Sequence, residues 1–442
     1  MNGGTFTPGV EKERAGIYFN FKLAANERIT SGERGRVALP LVLNWGEPKK
    51  MIEISNEKDV SQKLGVDMTD PSLFLLREAK KRSNTVLVYR VNEGTKATAT
   101  LGTGQTVTAV YGGSKGNDIT IVIAPNVLDD TKKDVKTFVG TTEVDKQTVA
   151  DFGELTANAY VTFSGTGALT DTAGTKLSGG QDGTPTNQDY IDFLTAAETE
   201  YFDVIGLPVN DESLKSTFTS FVRRLREDQG VKIQGVLPNY EAKYEGIINV
   251  TNGVVLEDGR TLSPSEVVAW IAGASAGVTL SQSLTFVEYE GAVDANPRYD
   301  HSEIVTRLQN GEFIFTYDGR DKTVTVEKDI NSLGGTSKFS KNKIIRILDA
   351  INNDVVRNLK EIIKNRKNTG QDIPANADGI QIIQTAIAIY LNEHQNNGII
   401  QNFDPTTDIN VQITSSGDGF YVNLGIQPTD SVEKFYFDVE VR

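Results

Sequence analysis

Apolar positions follow a period of two near the start of the sequence and again near its end, and the elements between alternate in type. Gly3, Gly4, Pro8 and Gly9 break any regular element. After them Ile17, Phe19 and Phe21 alternate with Tyr18, Asn20 and Lys22, which predicts a short strand with one apolar face. Val37 to Leu43 is an almost unbroken apolar run and reads as a mostly buried strand. Asp70-Pro71 offers an N-cap followed by proline at the first helical position. Lys80, Lys81 and Arg82 then fall in the last turn of that helix, where cations favour the dipole, and Thr85 to Tyr89 is a strand.

From Gly94 to Gly183 the texture changes to Thr, Gly and Val, with short runs such as Ile119 to Ile123 and no helical period. This predicts an all-β insertion, sandwich or barrel-like, with hairpin turns at Gly102-Thr103-Gly104 and Gly165-Thr166-Gly167 and a linker near residues 177–188. From 184 to 335 strands (201–205, 232–237, 246–250) alternate with helices (214–228, and one capped by Ser263-Pro264), the order of an α/β layered domain. Residues 312–317 and 323–326 read as a hairpin closing it.

Two long amphipathic helices follow. Ile344, Leu348, Ile351, Val355, Leu359 and Ile362 share one face of the first; Ile380, Ile383, Ile387 and Tyr390 line the second, with Gly398 as its stop. Phe420, Val422, Leu424 and Ile426 then alternate with polar partners. Phe435, Phe437, Val439 and Val441 do the same up to Arg442.

The expected fold is therefore multi-domain, α/β and α+β: a β-rich inserted domain, a central α/β domain, and a C-terminal α+β domain with extended strand arms at both ends. The boundaries read as 1–24 for an N-terminal arm, 25–93 for an α/β segment, 94–183 for the insertion, 184–335 for the central domain, 336–431 for the C-terminal domain and 432–442 for a second arm. An apolar-faced strand at a chain end must pair with something, since an open edge invites aggregation. It pairs either within its own domain or by strand addition to a neighbouring molecule, and the pattern alone does not choose.

Composition narrows the chemistry. With 38% apolar and 24% charged residues the chain is globular, and no apolar run approaches the ~20 residues of a membrane span. The start of the sequence has no signal-peptide pattern, so synthesis and folding in the cytoplasm are expected. There is no cysteine, which removes disulfides, thiolate metal sites and thiol nucleophiles. A net charge of −14 argues against nucleic-acid binding. No cofactor or metal is expected.

Only His301 and His394 are present. His301, in Tyr299-Asp300-His301-Ser302-Glu303, lacks a nucleophile elbow or a strand-end Asp to complete a triad and reads as a surface or inter-subunit residue. His394 reads as a structural cation complementing a helix dipole. Gly112-Gly113-Ser114-Lys115-Gly116 lacks phosphate-loop spacing and a following helix, so a tight β-turn is expected. Glu198, Glu200, Asp129 and Asp130 read as solvated carboxylates. Lys360, Lys364, Arg366 and Lys367 form a basic stretch on the first long helix; it serves either the helix dipole or contact with an acidic partner.

Several segments in order carry a family resemblance. They are Gly3-Gly4-Thr5-Phe6, Ala15 to Phe21, Arg34 to Val37 with Asn44 to Gly46, Gly113 to Asp118, Trp270 to Gly277 with Ser281 to Glu290, Asp329 to Leu333, Lys341 to Asp349, and Gln427 to Lys434. Together they resemble contractile tail sheath proteins of myophages, defective prophages and phage-tail-like bacteriocins. Ala15 stands where that family often has proline.

The resemblance implies a structural, non-enzymatic subunit of a virion or phage-tail-like particle, assembled in the host bacterial cytoplasm. Its central domain would be subtilisin-like without the triad. Homo-hexameric rings would stack helically around a tail tube protein, with baseplate and tail terminator proteins at the ends and the C-terminal domain facing the tube. Strand arms would join neighbouring subunits, Ile17, Phe19 and Phe21 in one, Phe435, Phe437, Val439 and Val441 in the other. A metastable extended state would shorten on baseplate triggering and drive the tube through a bacterial envelope. A degenerate α/β hydrolase-like enzyme and another tail component remain the alternatives; secretion-system sheaths are usually split into two chains.

Overall fold

The computed structural model describes residues 29–442, so the strand expected at Ile17, Phe19 and Phe21 lies outside the described residues. The chain forms two compact units, one of residues 32–353 with 428–442, the other of 354–427 with 29–31.

The larger unit is built on a seven-stranded sheet. Its order is Glu312–Phe313, Ile247–Val250, Gln234–Pro238, Val204–Gly206, Arg36–Leu41, Thr85–Arg90, Met51–Ile54, parallel throughout except for the last strand. Arg36–Leu41 thus lies mid-sheet, bonded to a strand more than 160 residues away in sequence (Val37 opposite Val204). Its continuous apolar run follows from burial on both faces. Val37, Leu39, Val86 and Val88 enter one core with Trp270, while Ala38, Leu87 and Tyr89 enter a second with Phe193, Leu194 and Phe218. Helix Pro264–Gly277 covers the first face. Ser263 caps it and Glu266 closes the reciprocal capping box. Gly273 and Gly277 let it lie against the carbonyls of Ala79 and Arg82, where a Cβ would come within 2.2 and 1.7 Å of oxygen.

The expected multi-domain α/β and α+β class, with a β-rich insertion, holds. Between Thr85–Arg90 and helix Asn187–Ala197 the chain builds a sandwich of a three-stranded sheet (Lys96–Gly102, Gln105–Gly112, Val161–Ser164) and a four-stranded one (Thr172–Lys176, Ile119–Pro125, Lys133–Val139, Thr142–Val149). Arg90 ties it down: its buried guanidinium donates to the carbonyls of Gly46 (2.6 Å), Glu93 (3.1 Å) and Gly112 (2.7 Å), and burial lowers its pKa to about 10. Asn92 acts as a strand edge, accepting from Leu43 N–H at 2.9 Å and donating to Leu43 C=O at 2.8 Å.

Several local expectations change. Gly165-Thr166-Gly167 is no hairpin turn, because the strand before it pairs in one sheet and the strand after it in the other. Gly113 to Asp118 ends in a 3₁₀ turn, Ser114–Asp118, rather than a simple β-turn. The strand expected at 201–205 is Val204–Gly206; just before it the Asp203 carboxylate accepts from the N–H groups of Gly35 (2.8 Å) and Arg36 (3.0 Å). The expected hairpin at 312–326 divides at Ile314: Glu312–Phe313 joins the main sheet and only Phe315–Asp318 pairs with Thr323–Val326.

In the smaller unit, residues 354–368 of helix Asn342–Asn368 accompany helix Ala377–Asn396, which Asn376 caps and after which Gly398 turns at φ +67°. A two-stranded antiparallel hairpin, Ile409–Ile413 with Phe420–Leu424, packs on the second helix through Ile409 and Val411.

Candidate functional site

The candidate surfaces are segments without partners. Phe435, Phe437, Val439 and Val441 were expected as a strand, but residues 431–442 form none in the single chain. A strand needs a ladder partner, and among the described residues the segment pairs with none. The side chains stand in solvent, Phe435 at 74% exposure and Val441 at 91%.

Just before it the chain is anchored. Lys341 Nζ pairs with Asp430 at 2.5 Å and reaches Glu433 at 4.0 Å. Lys343 Nζ donates to Ser431 at 2.9 Å, and Thr285 Oγ1 donates to Glu433 at 2.8 Å. Sequence reasoning missed this root, because each residue alone is an ordinary polar one.

In the smaller unit the hairpin has unpaired edges: among the described residues no further strand joins either one. Phe420 and Val422 face helix residues Leu359, Ile363 and Ile383 across a groove of about 510 Å³. Of the basic stretch, Lys360, Lys364 and Lys367 are exposed and Arg366 is half-buried. Lys367 lies 3.7 Å from Asp372. Lys360 and Lys364 have no ion pair among the described residues, and exposed Val356 and Ile363 share their face at helical spacing.

The remaining candidates resolve into structural roles. His301 opens helix His301–Gln309 on the surface; the adjacent Asp300 accepts from Ser302 Oγ (2.6 Å) and Glu303 N–H (2.8 Å) as an N-cap rather than orienting the imidazole. Ser114 N–H, the donor a phosphate would need, already serves the Asp182 carboxylate at 2.6 Å. Glu198 is held bidentate by Arg224 at 2.6 and 2.8 Å, so it is not simply solvated, and hydrogen bonding from Arg224 lowers its pKa to about 2. No cluster of three metal-ligating side chains occurs among the described residues.

His394 differs from expectation. It is 1% exposed, its Nδ1 lies 3.2 Å from the Tyr390 carbonyl oxygen, and its Nε2 has no partner. Burial lowers its pKa, so the neutral ring is held, not a cation serving the dipole. The unfolded chain protonates near pH 6.5 and the folded unit resists, so stability is present above that value and is lost as pH falls below it. Thermal unfolding followed from pH 7.5 to about 5.5 should shift down on acidification, and His394→Gln should flatten the shift. Equal slopes in both proteins would exclude this role.

Four family descriptions match in sequence order. They are the tail sheath protein Gp18 domain III N-terminal region at 34–91, the phage tail sheath protein beta-sandwich domain at 92–182, the phage tail sheath protein central domain at 183–332, and the phage tail sheath C-terminal domain at 335–442. The phage-like element PBSX protein XkdK of Bacillus subtilis (strain 168) is 56% identical over 466 aligned positions, covering 100% of both chains. The crystal structure of a sheath tail protein from Listeria innocua is 52% identical, with TM-score 0.81 over 94% of this chain and 96% of that one. The helical sheath of the anti-feeding prophage in its contracted state is 11% identical with TM-score 0.57 over 98% and 99%, a likeness of fold. The chain belongs to the phage tail sheath protein family.

Proposed function

We propose that this chain is a contractile sheath subunit that polymerises as stacked hexameric rings around a tail tube and shortens to drive the tube through a bacterial envelope. The observation that carries the reading is an apolar-faced segment, 435–441, left largely in solvent and without a strand partner among the described residues. The two-stranded hairpin, whose edges no further strand joins among the described residues, is its complement in this reading, since an unpaired edge can accept an added strand. Ile17, Phe19 and Phe21 have the pattern of a second added strand. Baseplate and terminator proteins bound the polymer in this reading, and the subunit performs no catalysis.

The tube-facing surface is assigned to Lys360, Lys364 and Lys367, whose charges stand out in a chain of net −14 and would meet an acidic tube. Arg366 on the same stretch is half-buried. Co-expression with the tail tube protein, read by negative-stain microscopy, tests both ideas. Striated sheathed tubes are expected, and single chains under every condition would contradict the assembly reading. The variant Lys360→Glu, Lys364→Glu should lower sheathed tubes at least about tenfold with unchanged thermal stability. Unchanged yield would remove the tube assignment.

A further inference from the structure

The segment that leaves the larger unit has a sharply marked base. Residues 430, 431 and 433 are held by side chains, and from Lys434 onward every residue is exposed. We propose that Lys341 and Thr285 are positioning residues for assembly: they clamp Asp430 and Glu433 so that the exposed strand departs from one fixed point in one direction. The inference rests on reading 434–442 as an inter-subunit strand.

The clamp is itself braced. Thr285 Oγ1 accepts from Asp329 N–H at 3.0 Å, so its single hydrogen is left to donate to Glu433. The Asp329 carboxylate takes bonds from Arg346 (2.9 Å), Asn342 (3.0 Å) and Leu284 N–H (3.0 Å), all buried. The next residue, Phe286, is held at φ +65° with its side chain 63% exposed, a bulky residue in the left-handed region that persists only where the surroundings fix it. Lys341 projects from just before helix Asn342–Asn368, and among the described residues its side chain pairs with Asp430 and Glu433 of the segment.

A free base would lengthen the tether by the six residues 428–433, roughly 20 Å of extended chain. Docking to a neighbour is an intramolecular event once subunits meet, and its effective concentration falls as the tether grows. The clamp therefore raises the local concentration of the strand at its acceptor and fixes its direction, without contributing to the acceptor contact itself.

Charge reversal and its swap test this. Lys341→Glu in the full chain should cut sedimentable polymer about fivefold or more near the assembly threshold, with an unchanged unfolding temperature. Adding Asp430→Lys should restore polymer towards the parent level, which a purely structural lysine would not do. Asp430→Ala, on the exposed side of the pair, should reproduce the loss if Lys341→Glu proves unstable. Normal assembly of Lys341→Glu, or failure of the swap to restore it, would overturn the clamp. Truncation at residue 434 separates the two ideas: if the truncated chain polymerises, the strand reading itself fails. If truncation abolishes polymer while Lys341→Glu and Asp430→Ala assemble normally, only the clamp fails.

Discussion

Removal of residues 434–442 is expected to abolish polymerisation while leaving the unfolding temperature of both compact units unchanged. The two halves of this expectation have separate causes. In the single chain Phe435, Phe437, Val439 and Val441 bury almost nothing, so their loss forfeits no packing. In an assembly they would be covered, each gaining about 1.5–3 kcal/mol before the cost of ordering, together with ladder hydrogen bonds to an acceptor edge. Scanning fluorimetry would check the first half, and sedimentation with negative-stain microscopy the second. Intact tubes from the truncated chain would refute the strand-exchange reading, and a fall of several degrees would show that the segment serves its own fold.

Arg226→Met is expected to destabilise the larger unit by about 3–5 kcal/mol. Arg226 donates to both oxygens of Asp349, at 2.5 and 2.9 Å, and to Ile233 C=O at 2.5 Å, all buried. Burial drives the Asp349 pKa upward, and Arg226 opposes that shift. Without Arg226 the carboxyl is left in low dielectric with only the weaker fields of Arg34 and Lys232, and the Ile233 carbonyl loses its side-chain donor. The double replacement Arg226→Met, Asp349→Leu should recover much of the loss, because it removes the stranded charge as well. Urea unfolding of the three variants reads this directly. A loss below about 1 kcal/mol in the single variant, or no recovery in the double, would show that the pair is solvent-relaxed.

Much of the fold was legible where local chemistry and burial agree. Ser263-Pro264 capped a helix as written, and the apolar runs at Val37 and Thr85 became strands buried on both faces. What the sequence hides is pairing across distance. Nothing local says that Val37 lies opposite Val204, with a whole sandwich folded between them. His394 was misread because helix position and burial make opposite demands on its charge, and burial is a tertiary quantity. The segment at 435–441 shows a limit of another kind. Its alternation is a strand pattern, yet the backbone partner that would make it a strand is not offered among the described residues. Nor could the polar root be foreseen, since Thr285, Lys341 and Glu433 meet only after folding.

The way the sandwich joins the sheet has a consequence for how such a protein can diversify. Its two connections run side by side: Thr95 N–H donates to Gln181 C=O at 2.7 Å, and Gly183 crowds against Gly94. Chain going out and chain coming back are thus stitched together at the base, beside the contacts that Arg90 and Trp45 make with the sandwich. A module attached in this manner can be replaced by another domain whose ends lie close together. The replacement must give the buried Arg90 guanidinium an acceptor in place of Gly112 C=O and cover Trp45 as Tyr111 and Tyr160 do. Natural variation in outer decoration, and the grafting of foreign domains by design, would both use residues 94–182 as the place to cut.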